Sequence, residues 1–168
     1  GWSDLVISQD GKYAYLVGRF YSRDVAIVDL EARELVTTIE SGSRPREIVL
    51  SPDGTRAYVC DELDDRVSVL DVGQETIITT IPVGGAPLGI ALSANGATAY
   101  VTNSEDGTVS VIDLESLSVT DTIAVGSQPR GIVISHVTTN TAYITNSGDN
   151  TISILDLSTN TQIGTIPT

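Results

Sequence analysis

The chain has 168 residues, with 22 acidic against 9 basic side chains, a net charge of −13 and a pI near 4.1. That balance excludes a general attraction to nucleic acid or to an anionic membrane, since both need a basic surface. No apolar run approaches the ~18 residues of a bilayer-crossing helix, and the opening residues lack the pattern of a signal peptide.

Met is absent and the chain opens on Gly1-Trp2, so a processed product or a piece of a longer chain is expected. Lys12 is the only lysine, and the acid-rich, Ser/Thr-rich composition suits an extracellular, cell-surface or periplasmic protein. Cys60 has no second cysteine to pair with, and a buried, inert thiol is expected there.

The elements recur. Ser8-Gln9-Asp10-Gly11, Ser51-Pro52-Asp53-Gly54, Ser93-Ala94-Asn95-Gly96 and Ser135-His136-Val137-Thr138 align, their serines 43, 42 and 42 residues apart. Each serine is followed by a tyrosine (Tyr15, Tyr58, Tyr100, Tyr143) and then by an apolar run ending in aspartate (Asp29, Asp71, Asp113, Asp156). The fourth repeat has one extra residue around Thr138 to Asn140. We divide the single region 1–168 into units at approximately 1–41, 42–84, 85–126 and 127–168.

Within a repeat, the first predicted strand is a continuous apolar run: Leu5-Val6-Ile7, Ile48-Val49-Leu50, Ile90-Ala91-Leu92 or Ile132-Val133-Ile134. Such a run predicts burial of both faces. Asp10-Gly11, Asp53-Gly54 and Asn95-Gly96 then supply the positive φ of a tight hairpin. The second strand carries the tyrosine. After a polar turn comes the third strand, such as Val67-Ser68-Val69-Leu70, and its terminal aspartate is expected to cap the next turn. The fourth strand mixes threonines with aliphatics, as in Glu75-Thr76-Ile77-Ile78-Thr79-Thr80-Ile81, and reads as half-solvated. Burial is therefore expected to fall from first strand to fourth. Four-stranded units of this period are propeller blades, so the fold class is all-β: a β-propeller of four consecutive four-stranded antiparallel blades.

Tyr100-Val101-Thr102-Asn103 resembles the motif that names the YVTN β-propeller repeats, and Tyr143-Ile144-Thr145-Asn146 differs from it at one position. Pro45-Arg46, Pro87-Leu88 and Pro129-Arg130, the Ser-Pro-Asp-Gly turn at 51–54, Val111-Ile112-Asp113 and the endings Ile81-Pro82-Val83-Gly84 and Ile123-Ala124-Val125-Gly126 extend the resemblance over essentially the whole chain. Repeat one departs from it, with Trp2-Ser3, Tyr15-Leu16-Val17-Gly18 and a bulky turn at 19–24. The resemblance implies a cell-surface, surface-layer or periplasmic protein, and similar propellers occur in lactonases and in haem-bearing nitrite reductase domains. Such propellers often have seven blades. Four leave the ring open, to be completed by further blades of the same chain or by a homodimer, unless four close alone; an uncovered arc would expose two large apolar faces.

Three groups are candidate sites. Arg46 and Arg130 share one repeat position beside the inner strand, with Arg44 close by, and together could bind a carboxylate or an acidic partner residue at the channel mouth. The plainer expectation is salt-bridging to Glu47 or nearby acids. Asp61, Glu62, Asp64 and Asp65 could offer oxygens to calcium, but their spacing does not match a calcium loop, and a solvated acidic turn is the plainer reading. Trp2, Phe20 and Tyr21 could form a binding surface or cover the end of the arc. His136 is the only histidine, too few for the usual haem or zinc ligand sets, and no cofactor is expected. No nucleophile, base and orienting group fall together. The expected function is a non-catalytic structural or binding module for a protein partner; the alternative is part of a lactonase-like or redox-linked enzyme whose catalytic groups lie elsewhere.

Overall fold

The computed structural model describes residues 1–18, 23–135 and 140–168. They form four four-stranded antiparallel sheets, each made of consecutive strands in chain order. The first blade contains β1 (Trp2–Ile7), β2 (Tyr13–Gly18), β3 (Asp24–Asp29) and β4 (Glu34–Glu40); the second, β5 (Pro45–Leu50), β6 (Arg56–Asp61), β7 (Arg66–Asp71) and β8 (Thr76–Pro82). The third contains β9 (Pro87–Leu92), β10 (Thr98–Asn103), β11 (Thr108–Asp113) and β12 (Ser118–Ala124); the fourth, β13 (Pro129–Ser135), β14 (Thr141–Asn146), β15 (Thr151–Asp156) and β16 (Thr161–Pro167). Among the described residues no helix is long and apolar enough to cross a membrane, which says nothing of a β-barrel.

The turn chemistry read from the repeat is realised. Gly11, Gly54 and Gly96 take φ of 72°, 69° and 67°, a region open to a residue without a Cβ. Beside them Asp10, Asp53 and Asn95 accept the hydroxyls of Ser8, Ser51 and Ser93. The recurring aspartates cap the third turn. Asp29 accepts the N–H groups of Glu31 and Ala32, Asp71 that of Gln74, Asp113 that of Ser116 and Asp156 that of Ser158.

Three apolar cores lie between successive blades, each joining the forward face of one blade to the back of the next. Tyr15, Val17, Val25 and Ile27 pack on Ile48, Ala57, Val59 and Leu70. Tyr58, Val67 and Val69 pack on Ile90, Ala99 and Val101, and Tyr100, Val109 and Val111 on Ala142, Ile144 and Leu155. Each buried aliphatic side chain stabilises the stack by about 1.5–3 kcal/mol over its exposed state.

Burial does not fall steadily from first strand to fourth. The second and third strands of the middle blades are the most buried, while the first strands lie between buried and exposed, one end of each lining an axial cavity. The expected burial of both faces also fails at β1 and β13. Leu5 is 55% exposed where its repeat equivalents Ile48 and Ile90 are each 2% exposed. At the other end Tyr143 is 37% exposed against 4% for Tyr100, and Val133 is exposed as well. The reason is positional: those faces have no neighbouring blade on that side.

Candidate functional site

The innermost strands β1, β5, β9 and β13 run side by side around the axis. Their first residues meet at one mouth, where Ser3, Arg46, Glu47, Leu88, Arg130 and Gly131 line a cavity of about 240 Å³. Arg46 and Arg130 are thus brought into one cavity from blades two and four.

The two arginines are held differently, Arg46 by a nearby acid as expected and Arg130 by a hydroxyl. Arg46 Nε lies 3.4 Å and Arg44 Nε 3.1 Å from the same Glu62 Oε2, so a nearby acid pairs with both arginines. Arg130 makes no ion pair within 4 Å among the described residues; its Nε donates to Ser147 Oγ at 3.1 Å. That hydroxyl in turn donates to the Gln128 carbonyl, which fixes the approach of the guanidinium.

Glu47 is the residue that sequence reasoning passed over as a member of the site. Its carboxyl accepts the Ile90 N–H from the next blade; burial, then the nearby Asp4 charge, push its pKa up to about 7. Asp4 makes the matching contact one blade earlier, accepting the Ile48 N–H at 3.1 Å. In blades three and four the same repeat position is glycine. There the Gly89 and Gly131 N–H groups donate to the Thr102 and Thr145 hydroxyls at 2.8 and 3.1 Å, and Thr102 also reaches the Arg130 carbonyl at 2.6 Å. The corresponding threonine positions in blades one and two are Val17 and Cys60. An acid paired with an apolar residue therefore replaces glycine paired with threonine, and this double departure from the repeat was the available signal.

The acidic turn does not converge on a cation. Asp61 is buried and accepts the Ser68 hydroxyl at 2.5 Å, with Arg66 at 3.5 Å; burial raises its pKa despite both partners. Glu62 faces Arg44 and Arg46, Asp64 accepts the Ser43 N–H at 2.7 Å, and Asp65 accepts the Ala86 N–H at 2.9 Å. Among the described residues no three His, Cys, Asp or Glu side chains form a metal-ligand group. Cys60 is buried, and its thiol lies well above the usual range because burial disfavours the thiolate. Trp2 is 56% exposed at the start of β1, while Phe20, Tyr21 and His136 lie outside the described residues.

Comparison with known proteins adds the ancestry. The family model described as lactonase, 7-bladed β-propeller, matches residues 1–80 and 19–163. The chain belongs to this lactonase family. No curated protein matches the sequence. Among solved structures, the lactonase-family chain is similar to hydrazine synthase of Kuenenia stuttgartiensis, with a TM-score of 0.90 and 26% identity over 99% of this chain and 49% of that one. It also shares its fold with a protein of unknown function from Desulfotomaculum acetoxidans DSM 771, with a TM-score of 0.84 and 15% identity over 98% of this chain and 56% of that one. The chain thus spans about half the length of each.

Proposed function

We propose that these lactonase-family blades form a binding module whose axial cavity takes a small carboxylate or the acidic side chain of a protein partner, without bond-breaking chemistry. One observation carries the reading: Arg46 and Arg130 line the same cavity in a protein of net charge −13. A local cationic focus in a negative field selects anions at that one place, and a guanidinium fork can hold a carboxylate through two parallel hydrogen bonds. The Glu62 pair holds Arg46 in place, so less side-chain freedom is lost on binding.

The exposed faces of the first and last blades are covered, in this reading, by further propeller blades, and the protein works at the cell surface or in the periplasm, as its acid-rich, lysine-poor composition suggests. Calorimetric titration with succinate and citrate tests the axial site. Saturable binding that disappears in Arg46→Gln/Arg130→Gln supports it; equal binding by the variant overturns it. Light scattering tests the covering: a monomer of this chain that binds no hydrophobic dye would overturn it.

A second reading is lactone hydrolysis, favoured by the family match and by Glu47, a carboxyl in the cavity with a pKa of about 7. A group titrating there suits a general base at neutral pH. Turnover of a simple lactone that is lost in Glu47→Gln would replace the non-catalytic reading with this one.

A further inference from the structure

Two interblade grooves open beside the β1–β2 and β5–β6 turns, and they differ in an informative way. The groove between blades two and three has a volume of about 300 Å³ and is lined by Asp53, Arg56, Tyr58, Asn95 and Leu114, among others. It contains a cation of the protein's own. The Arg56 guanidinium donates to the Leu114 carbonyl at 3.5 Å and to the Tyr58 hydroxyl.

One blade earlier, the repeat keeps the acceptors and removes the cation. Tyr15 stands for Tyr58, Val72 for Leu114 and Asp10 for Asp53, while Tyr13 takes the place of Arg56. Two neutral positions also become acidic, with Asp53 at the place of Asn95 and Glu75 at the place of Leu117. This groove is larger, about 510 Å³. Gln9 spans it, donating to the Pro52 carbonyl.

The acceptors are poised for a ligand. Tyr15 is 2% exposed, lines the groove, and its hydroxyl has no hydrogen-bond partner among the described residues. Burial and then the charges of Glu75, Tyr13 and Asp10 hold its phenol above the usual range, which places those groups within electrostatic reach of the hydroxyl. Asp10 and Asp53 satisfy their own turns through Oδ1, leaving Oδ2 of each without a bond to a described residue. Lys12, in the same turn as Asp10, interacts with it but does not line the groove.

We propose that the groove between blades one and two binds a guanidinium group from outside, in the place where the next groove seats Arg56. Tyrosine rings and hydroxyls with several carboxylates are the surroundings in which such a cation is held by both charge and ring face. The group could come from a small guanidine compound or from an arginine side chain of a partner protein; the chemistry is the same.

Agmatine and an N-acetylated, C-amidated tetrapeptide containing one arginine serve as probes, titrated into the protein by calorimetry. Saturable binding is expected, weakened about tenfold or more in Glu75→Leu, which copies Leu117, by loss of a charge-assisted contact. Binding is expected to vanish in Tyr13→Arg, which supplies a guanidinium as Arg56 does. Glu115→Gln, an exposed charge change on blade three, should leave binding unchanged. A peptide that binds more tightly than agmatine identifies a protein partner as the source, and the reverse identifies a small molecule. No saturable binding at millimolar probe, or equal binding by the parent, Glu75→Leu and Tyr13→Arg, overturns the proposal. Thermal unfolding of each variant separates loss of the site from loss of the fold.

Discussion

Asp61 and Arg66, 3.5 Å apart, occupy as a charged pair the place that Asn103 and Thr108 occupy in the third blade and Asn146 and Thr151 in the fourth. The three sites share one design. Asn103 donates to the Thr108 and Ser110 hydroxyls and Asn146 to those of Thr151 and Ser153, while Asp61 accepts from Ser68 and faces Arg66. An acid replaces the amide and a cation replaces the hydroxyl, so the blade keeps its closure with different chemistry.

Removing one member of that pair should cost far more than exchanging both. Arg66→Thr leaves a buried carboxylate without its cation and is expected to lower stability by about 2–3 kcal/mol at neutral pH, somewhat less than a fully buried pair because Arg66 is partly exposed. Adding Asp61→Asn recreates the third-blade arrangement and should restore most of the loss. Urea unfolding of the single and double variants measures both. The Asp61 pKa is raised, so the loss in Arg66→Thr should shrink on acidification as the carboxyl takes up its proton.

Glu47 should make stability fall with rising pH. The folded protein holds the Glu47 proton more tightly than the unfolded chain, whose carboxyl titrates at 4.5, against about 7 when folded. That contribution is complete below pH 4.5 and is lost as pH rises through 7. Glu47→Gln keeps an acceptor for the Ile90 N–H and cannot ionise. At pH 8 it should be the more stable protein by about 2 kcal/mol, taking about 1.4 kcal/mol per pKa unit and discounting for partial exposure. Denaturant unfolding of both proteins at pH 5 and pH 8 tests this, and an equal change in stability between the two pH values for both proteins would rule it out.

Cys60 should react with a maleimide only when the blades open. Its thiol is buried and poorly ionised, so the native protein should resist labelling for hours while the denatured protein labels fully. Mass spectrometry over a labelling time course reads the difference, and it also reports how readily blades two and three part.

Arg33 is a place where the repeat tolerates strain. It is exposed and adopts φ of 59°, as do Glu75 at 54°, Leu117 at 53° and Asn160 at 53° at the same turn position. Only the fourth blade places asparagine there, a residue that accepts the left-handed region readily. Arg33→Asn should therefore raise stability by about 0.5–1 kcal/mol, measurable as a higher urea midpoint with an unchanged slope.

The architecture was legible in the sequence because it rests on local chemistry repeated four times. Asp-Gly turns, capping aspartates and apolar third strands each act within a few residues of themselves, so Gly54, Asp71 and Val67-Ser68-Val69-Leu70 could be placed without knowing their neighbours in space. The shared repeat position of Arg46 and Arg130 was readable for the same reason. Only the tertiary structure decided what those arginines meet. Glu62 anchors Arg46, Arg130 rests on Ser147, and Glu47 joins them from a position where blades three and four have glycine. It also decided that β1 and β13 each leave a face uncovered, since burial there depends on a neighbouring blade and not on the strand's own residues. The same holds for the two grooves. Tyr13 and Arg56 are single letters at equivalent positions, and their opposite consequences arise only where adjacent blades pack their acceptors together.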